Sequence, residues 1–197
     1  SGESLHKRGN LEFLGHAKIR ENIASLLLIR LLGLEDHSTF QLIDPMCGSG
    51  TFLKEASNFH RPNERSFSYL NWKNITDKSY SFTNPWNFKG HIGVDLNEKL
   101  NPKNKQTYDF INDNFFNFEF KNPCIVILNP PYGKRIKLPT SPQAYFDTVI
   151  RRLKDQKNIY KFGIIIPAQY AKDYSQKTSL SFNQNGIKVK YLTFARK

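Results

Sequence analysis

The sequence predicts an α/β domain with a mainly parallel sheet, finished by a C-terminal antiparallel hairpin. Three observations carry this. Short apolar runs alternate with segments of helical period. The run Cys124–Leu128 is apolar at every position, as in a strand buried on both faces. Three of the runs end in glycine-rich, acidic or proline-rich turns, and open α/β sheets hold their ligands beyond such strand ends.

In chain order, residues 3–15 are polar and Gly-rich and carry the basic cluster His6, Lys7 and Arg8. Ile19, Ile23, Leu27 and Leu31 recur at four-residue steps and predict a helix over Ala17–Leu34, ended by Gly33 and the polar stretch beyond. Phe40, Leu42 and Ile43 form a short buried strand that runs into DPMCGSG (Asp44–Gly50), and Thr51–Asn58 starts a helix. Residues 59–89 are aromatic and polar, with Trp72, Pro85 and Trp86 and no clear period. At ~30 residues this insertion is long for a loop, so it is expected to contain short elements or to carry a function. His91–Leu96 is a second strand with Asp95 near its end, and Pro102 argues against a long helix over residues 97–108. Tyr108–Ile111 is a short third strand, followed by Asp113 and Asn114. Cys124–Leu128 leads into NPPYG (Asn129–Gly133), and Ser141-Pro142 opens a helix over residues 142–157. Phe162–Ile166 is another buried strand, and Ser179–Phe182 pairs with Ile187–Phe194 across the turn-rich Asn183–Gly186.

Composition narrows the class. The chain has 197 residues, 29 Lys plus Arg against 17 Asp plus Glu, and a formal charge of +12. This length fits one domain or two small ones. The hydrophobic share is only 39%, but 16 Phe and 9 Tyr carry much of it, which excludes wholesale disorder. No apolar run approaches the ~18 residues of a membrane span, and the polar N-terminus has no signal-peptide pattern, so no membrane partner is expected. Two cysteines, Cys47 and Cys124, exclude a disulfide scaffold and a four-ligand zinc site and point to a reducing, cytoplasmic compartment. No His, Cys and Asp cluster has metal spacing, so no metal is expected. The positive charge suggests a polyanionic partner, nucleic acid first.

Each motif has a chemistry and a plainer alternative. In Asp44–Gly50 the glycines let backbone N–H groups approach a ligand, but an ordinary tight strand-to-helix turn fits as well. The spacing is neither GxGxxG nor a P-loop. Cys47, in that turn, is read as a packing residue, because no general base stands beside it. Asp95 suits vicinal ribose hydroxyls, or the cap of a following helix. NPPYG is the sharpest signal. Two prolines leave carbonyls without a neighbouring N–H, so the Asn129 side-chain oxygen and the Pro130 carbonyl can both accept from one planar exocyclic amine. Tyr132 offers a face on which a base can stack. Asp113, or Asp109, can accept from an adenine amine. Lys134, Arg135 and Lys137 follow directly as phosphate contacts, while Arg151, Arg152, Lys154 and Lys157 are either phosphate contacts or a solvated helix face.

The order of glycine loop, ribose acid and NPPY resembles the S-adenosylmethionine-dependent methyltransferases of the amino-group class, with the Rossmann-like class I fold. LHKRGN (Leu5–Asn10), HAKIREN (His16–Asn22), LIDPMCGSGTFLKEA (Leu42–Ala56), GVDLN (Gly93–Asn97) and LNPPYGKR (Leu128–Arg135) look like the catalytic domain of THUMP-associated RNA guanine-N2 methyltransferases, the RlmL-like enzymes above all. Phe67–Trp72 and the closing Phe182–Phe194 are similar too. The resemblance implies one catalytic domain over 1–197, with an N-terminal extension and helix over 1–35 and a Rossmann-like core over 36–197 interrupted at 59–89. It implies S-adenosyl-L-methionine as cofactor, with Asp44, Pro45, Met46, Cys47, Gly48, Gly50 and Thr51 in the cofactor loop. Asp95 and Leu96 would lie on the ribose side, Asp113 and Asn114 at the adenine, and Asn129 beside both cofactor and base. Asn129, Pro130, Pro131 and Tyr132 would be catalytic, and Lys134, Arg135 and Lys137 would touch nucleic acid. The expected reaction is methyl transfer to the N2 amine of a guanine in RNA, 23S rRNA in the first instance, by a monomer. The alternatives are adenine-N6 methylation of DNA or RNA, and a non-catalytic nucleic-acid-binding module of the same fold. Family members carry a THUMP region that this sequence does not show, so the chain is expected either to be a catalytic part cut from a longer protein or to find RNA through other contacts.

Overall fold

The computed structural model describes residues 19–59, 86–100, 107–133 and 138–196. At its centre lies β4 (Cys124–Leu128), buried at all five positions. Side chains alternate along a strand, so β4 feeds two layers. Cys124, Val126 and Leu128 pack with Phe146, Val149 and Leu153, while Ile125 and Ile127 pack with Leu27, Leu28, Phe52 and Leu53. The first group belongs to the face covered by α3 (Pro142–Asp155). The second meets α1 (Glu21–Leu32) and α2 (Thr51–Ser57). A sheet covered on both faces favours parallel strands without polar alternation, which is why the apolar run was readable.

The other strands are β1 (Gln41–Asp44), β2 (Gly90–Asp95), β3 (Asp109–Asn112), β5 (Ile159–Pro167), β6 (Thr178–Gln184) and β7 (Ile187–Ala195). They form a seven-stranded sheet in the order β3-β2-β1-β4-β5-β7-β6. Strands β1 to β5 are mutually parallel, and β7 runs antiparallel to both β5 and β6. The predicted class therefore holds, hairpin included. The strand order reverses between β1 and β4, and such a switch point opens a crevice at the carboxyl ends of the strands.

Boundaries differ where packing overrides pattern. α1 starts at Glu21, with Arg20 extended before it, and stops at Gly33, whose φ of +66° suits a residue without Cβ. Trp86 anchors the chain just before β2. It is buried, donates from Nε1 to the Gly33 carbonyl at 2.8 Å, and stacks on Phe59 with ring centroids 3.8 Å apart. The rest of the insertion, residues 60–85, and the N-terminal motifs before residue 19 lie outside the described residues. β3 begins one residue later than expected, because Tyr108 turns its ring into the core and Asp109 is the first residue paired with β2. β5 and the hairpin run longer than their apolar stretches, since the ladder between β5 and β7 extends from Lys161↔Ala195 to Pro167↔Val189. The hairpin turns at Asn185 (φ +50°) and Gly186 (φ +80°), a type I′ pattern that sets its register. Among the described residues, no helix is long and apolar enough to cross a membrane.

Candidate active site

The three motifs meet at the switch point. β1 lies between β2 and β4, so the turns after these strands are neighbours. The glycine loop is stitched to β2 twice: Cys47 N–H donates to the Val94 carbonyl at 3.0 Å, and Gly48 N–H donates to Asp95 Oδ2 at 2.9 Å. The other carboxylate oxygen of Asp95 accepts from Asn97 N–H at 2.9 Å. Asp95 thus shapes the loop and the turn after β2, while Asn97 takes the capping role by accepting from Lys99 N–H at 3.2 Å; lone pairs are left on both Asp95 oxygens. From β3, Asn112 Nδ2 donates to the carbonyls of Asp95 and Leu96, each at 3.0 Å, and holds the turn. Leu96 stands 69% exposed beside it, an apolar face open to a ligand.

Gly48 (φ +52°) has no atom within 4 Å of where a Cβ would stand, so its outer side is open. Gly50 (φ +69°) is closed: a Cβ there would lie 2.4 Å from the Tyr108 hydroxyl and 2.5 Å from Cζ. Gly93 is similarly filled, with a Cβ 2.8 Å from Tyr108 Cε2. Tyr108 is therefore a wedge beneath the glycine loop. Sequence reasoning missed this role and saw only a strand residue. The readable signal was an aromatic opening a short strand, with glycines in two preceding motifs to receive it.

Met46, Cys47 and Thr51 face inward rather than outward. Met46 Sδ lies 3.5 Å from the Tyr145 hydroxyl, and Cys47 and Thr51 are buried. Burial pushes the Cys47 thiol up, and Asp44 and Asp95 add to this; the side chain belongs to the buried layer that holds Phe52 and Tyr108. Pro45 is buried as well. Asp113 Oδ1 accepts from Asn114 N–H at 2.7 Å, and Asn114 Oδ1 accepts from Phe116 N–H at 3.0 Å, shaping the turn that carries Asp113 beside Asp95. Asp109 is exposed at the other end of β3.

Asp44 is 2% exposed and accepts from Met46 N–H at 3.2 Å. Burial pushes its carboxyl up to about 8, the Met46 N–H opposes this, and the nearby Asp95 adds to it. The unfolded chain releases this proton near pH 4 while the folded chain keeps it, so the unfolded state binds fewer protons between pH 4 and 8. Stability contributed by this group is full below pH 4, falls by up to ~1.4 kcal/mol per unit, and levels off above pH 8. Urea midpoints of the wild type and Asp44→Asn, taken from pH 4.5 to 7.5, should diverge in favour of Asn as pH rises. Parallel curves would show that Asp44 ionises normally.

In NPPYG, Asn129 is half-buried and Pro130 buried. Tyr132 does not stand out as a free stacking platform. Its ring packs against both core layers, and its hydroxyl lies 2.5 Å from Asn129 Oδ1 and 3.1 Å from Gln184 Oε1. Burial holds its phenol well above the usual range. Gln184, at the end of β6, escaped sequence reasoning because only the hairpin register brings it here. Lys134, Arg135 and Lys137 lie outside the described residues. On α3, Arg152 donates to the carbonyls of Phe115 and Phe118 at 3.2 and 2.8 Å, and Lys154 donates to the Tyr174 carbonyl. These two cations are structural ties rather than a free basic face. A cavity of about 550 Å³ lined by Lys154, Tyr160, Lys177 and Arg196 lies at the other end of β5, away from the motifs. The motif cluster, with its converging acceptors, is the better site.

The chain is similar to known proteins. The family model for the RMKL-like methyltransferase domain matches residues 8–168. The chain is 33% identical over 163 residues to the ribosomal RNA large subunit methyltransferase K/L of Colwellia psychrerythraea, covering 69% of this chain and 23% of that protein. The protein of the same name in Marinomonas sp. is 33% identical over 167 residues, with the same coverage. The chain thus spans about a quarter of the length of these relatives. Among solved structures, the methyltransferase SMU.472 in complex with SAH aligns with a TM-score of 0.69 at 18% identity, over 98% of this chain and 56% of that one. A predicted N6-adenine-specific DNA methylase from Listeria monocytogenes aligns with 0.66 at 19% identity, over 98% and 55%. Both share the class I methyltransferase fold.

Proposed function

The chain belongs to the RMKL-like methyltransferase domain family, and we propose that it transfers a methyl group from S-adenosylmethionine to the exocyclic N2 amine of a guanine in large-subunit ribosomal RNA. The observation that carries this reading is the junction of an open glycine shelf with a pair of amine acceptors at one switch point. The residues fit the cofactor. Gly48 lets a ligand approach the backbone, Asp95 retains lone pairs for ribose hydroxyls, and Leu96 offers an apolar face to a planar ring. Asp113, whose N–H donates to the Asp95 carbonyl at 3.3 Å, would accept from an adenine amine.

When bound, S-adenosylmethionine supplies an electrophilic methyl on a sulfonium. The chain's own work is orientation. Asn129 Oδ1 and the Pro130 carbonyl accept from the two hydrogens of the target amine and hold its lone pair toward the methyl. As nitrogen becomes positive in the transition state, these oxygens bind it more strongly than in the ground state. Tyr132 borders the target base, and Lys134, Arg135 and Lys137 take RNA phosphates. In this reading residues 1–197 are one catalytic domain of a cytoplasmic enzyme and act as a monomer, with core 36–197 following an extension and helix.

The test is mass spectrometry of nucleosides from RNA incubated with the protein and S-adenosylmethionine. N2-methylguanosine is expected. N6-methyladenosine instead would overturn the guanine assignment, and calorimetry showing no binding of S-adenosylmethionine at millimolar concentration would support a non-catalytic module.

A further inference from the structure

The Tyr132 hydroxyl has one proton and two neighbours able to take it. Asn129 Oδ1 is 2.5 Å away and Gln184 Oε1 3.1 Å. The shorter bond takes one of the two lone pairs of the oxygen that the functional reading assigns to the target amine and so competes with the amine for it. Gln184 is 8% exposed, and its place is not accidental to the fold: the Asn185-Gly186 turn fixes Gln184 opposite Ile187. The register of β7 with β5, ending at Pro167↔Val189, then puts the turn at the carboxyl end of the parallel strands, where NPPYG lies.

We propose that Gln184 is a positioning residue that takes over the Tyr132 hydroxyl from Asn129 when the target amine arrives, leaving the Asn129 oxygen to the amine. This rests on the reading of Asn129 as an amine acceptor. A buried hydroxyl without a partner costs about 1–3 kcal/mol, so Tyr132 cannot release Asn129 cheaply unless a second acceptor is in reach. A glutamine amide serves both states. While the phenol donates to Asn129, a half-turn of the amide lets Nε2 donate to the phenol oxygen; after the handover Oε1 accepts from it. The hairpin thereby reports its docking to the catalytic motif through one hydrogen bond.

Kinetics of the wild type, Gln184→Leu, Gln184→Glu, Tyr132→Phe and the Tyr132→Phe/Gln184→Leu pair on RNA test this. Gln184→Leu should lower kcat by roughly 5- to 150-fold, the range that such a buried penalty converts to, with KM for S-adenosylmethionine and thermal stability little changed. Gln184→Glu should restore most of the rate, since a carboxylate accepts from the phenol. In the Tyr132→Phe background, Gln184→Leu should change kcat less than about twofold, because no hydroxyl remains to hand over. A purely structural tether through this bond would also be silent in the Tyr132→Phe background, but it predicts a lowered melting temperature and a loss of kcat no larger than the loss of folded protein explains.

The two readings fail separately. A wild type that methylates RNA while Gln184→Leu keeps its full kcat overturns the handover alone. A wild type that methylates no RNA overturns the functional reading, and the 13C shift of Tyr132 Cζ then decides the handover. In Asn129→Ala the phenol should bond to Gln184, and adding Gln184→Leu should abolish that bond. An unchanged shift between these two variants would overturn the inference.

Discussion

Asn129→Ala is expected to lower the rate of methyl transfer by roughly 10²–10³-fold, the usual cost of removing one group aimed at charge that develops in the transition state. The substitution takes away the side-chain acceptor and leaves the Pro130 carbonyl, so one of the two N–H bonds to the amine survives. The fold should tolerate it. Tyr132 retains Gln184 as an acceptor at 3.1 Å, and losing its bond to Asn129 costs only about 1 kcal/mol. Single-turnover transfer to RNA, followed beside a thermal melt, separates the two effects. A rate within tenfold of wild type, in a protein that melts normally, would remove Asn129 from the machinery.

Gly50→Ala should cost roughly 2–5 kcal/mol of stability, from two additive sources. Holding an L-residue in the left-handed region costs about 1–2 kcal/mol, and forcing a methyl into a filled core costs about 1–3 kcal/mol. Both apply at Gly50, where φ is +69° and the new Cβ would meet three Tyr108 atoms between 2.4 and 2.6 Å. The ring cannot slide away, because its other edge is pressed against Gly93. The prediction can be divided. Tyr108→Phe removes one of the three contacts and should rescue little, whereas Tyr108→Ala in the Gly50→Ala background should recover the steric share and leave the backbone share. Urea denaturation of the wild type, Gly50→Ala, Tyr108→Ala and the Gly50→Ala/Tyr108→Ala pair measures this, and additive losses in the pair would show that ring and loop do not touch. Among the described residues the Tyr108 hydroxyl has no hydrogen-bond partner, so its role in the wedge is one of shape.

Much of the fold was legible because burial leaves its period in the chain. The apolar run Cys124–Leu128 read as a strand covered on both faces, and Asn183–Gly186 as a hairpin connection, which the structure tightens to Asn185 and Gly186. The motif order was legible for the same kind of reason, since each motif follows directly on a strand. Three readings needed space rather than sequence. Tyr132 looked like an open stacking surface, but its hydroxyl is drawn to Asn129 and Gln184 and its ring into the core. Arg152 and Lys154 looked like part of a basic face, but backbone carbonyls of other segments claim them. Asp95 looked like a ribose acid or a helix cap, but its two oxygens tie the glycine loop at Gly48 and the turn at Asn97, and Asn97 caps the next turn.

By itself, the sequence determined the alternation of strands and helices, the hairpin, and the three motif-bearing turns at the strand ends. These follow from local rules: the period of buried side chains, the freedom of glycine and the missing N–H of proline. Tertiary structure alone decided which residues meet there. Tyr108 reaches Gly50 across 58 positions, Asp95 reaches Gly48 across 47, and Gln184 reaches Tyr132 across 52. No local propensity encodes such pairs. They exist because the parallel order β2-β1-β4 and the antiparallel register of β7 bring distant strand ends to one crevice, and strand register is set by the packing of the whole sheet.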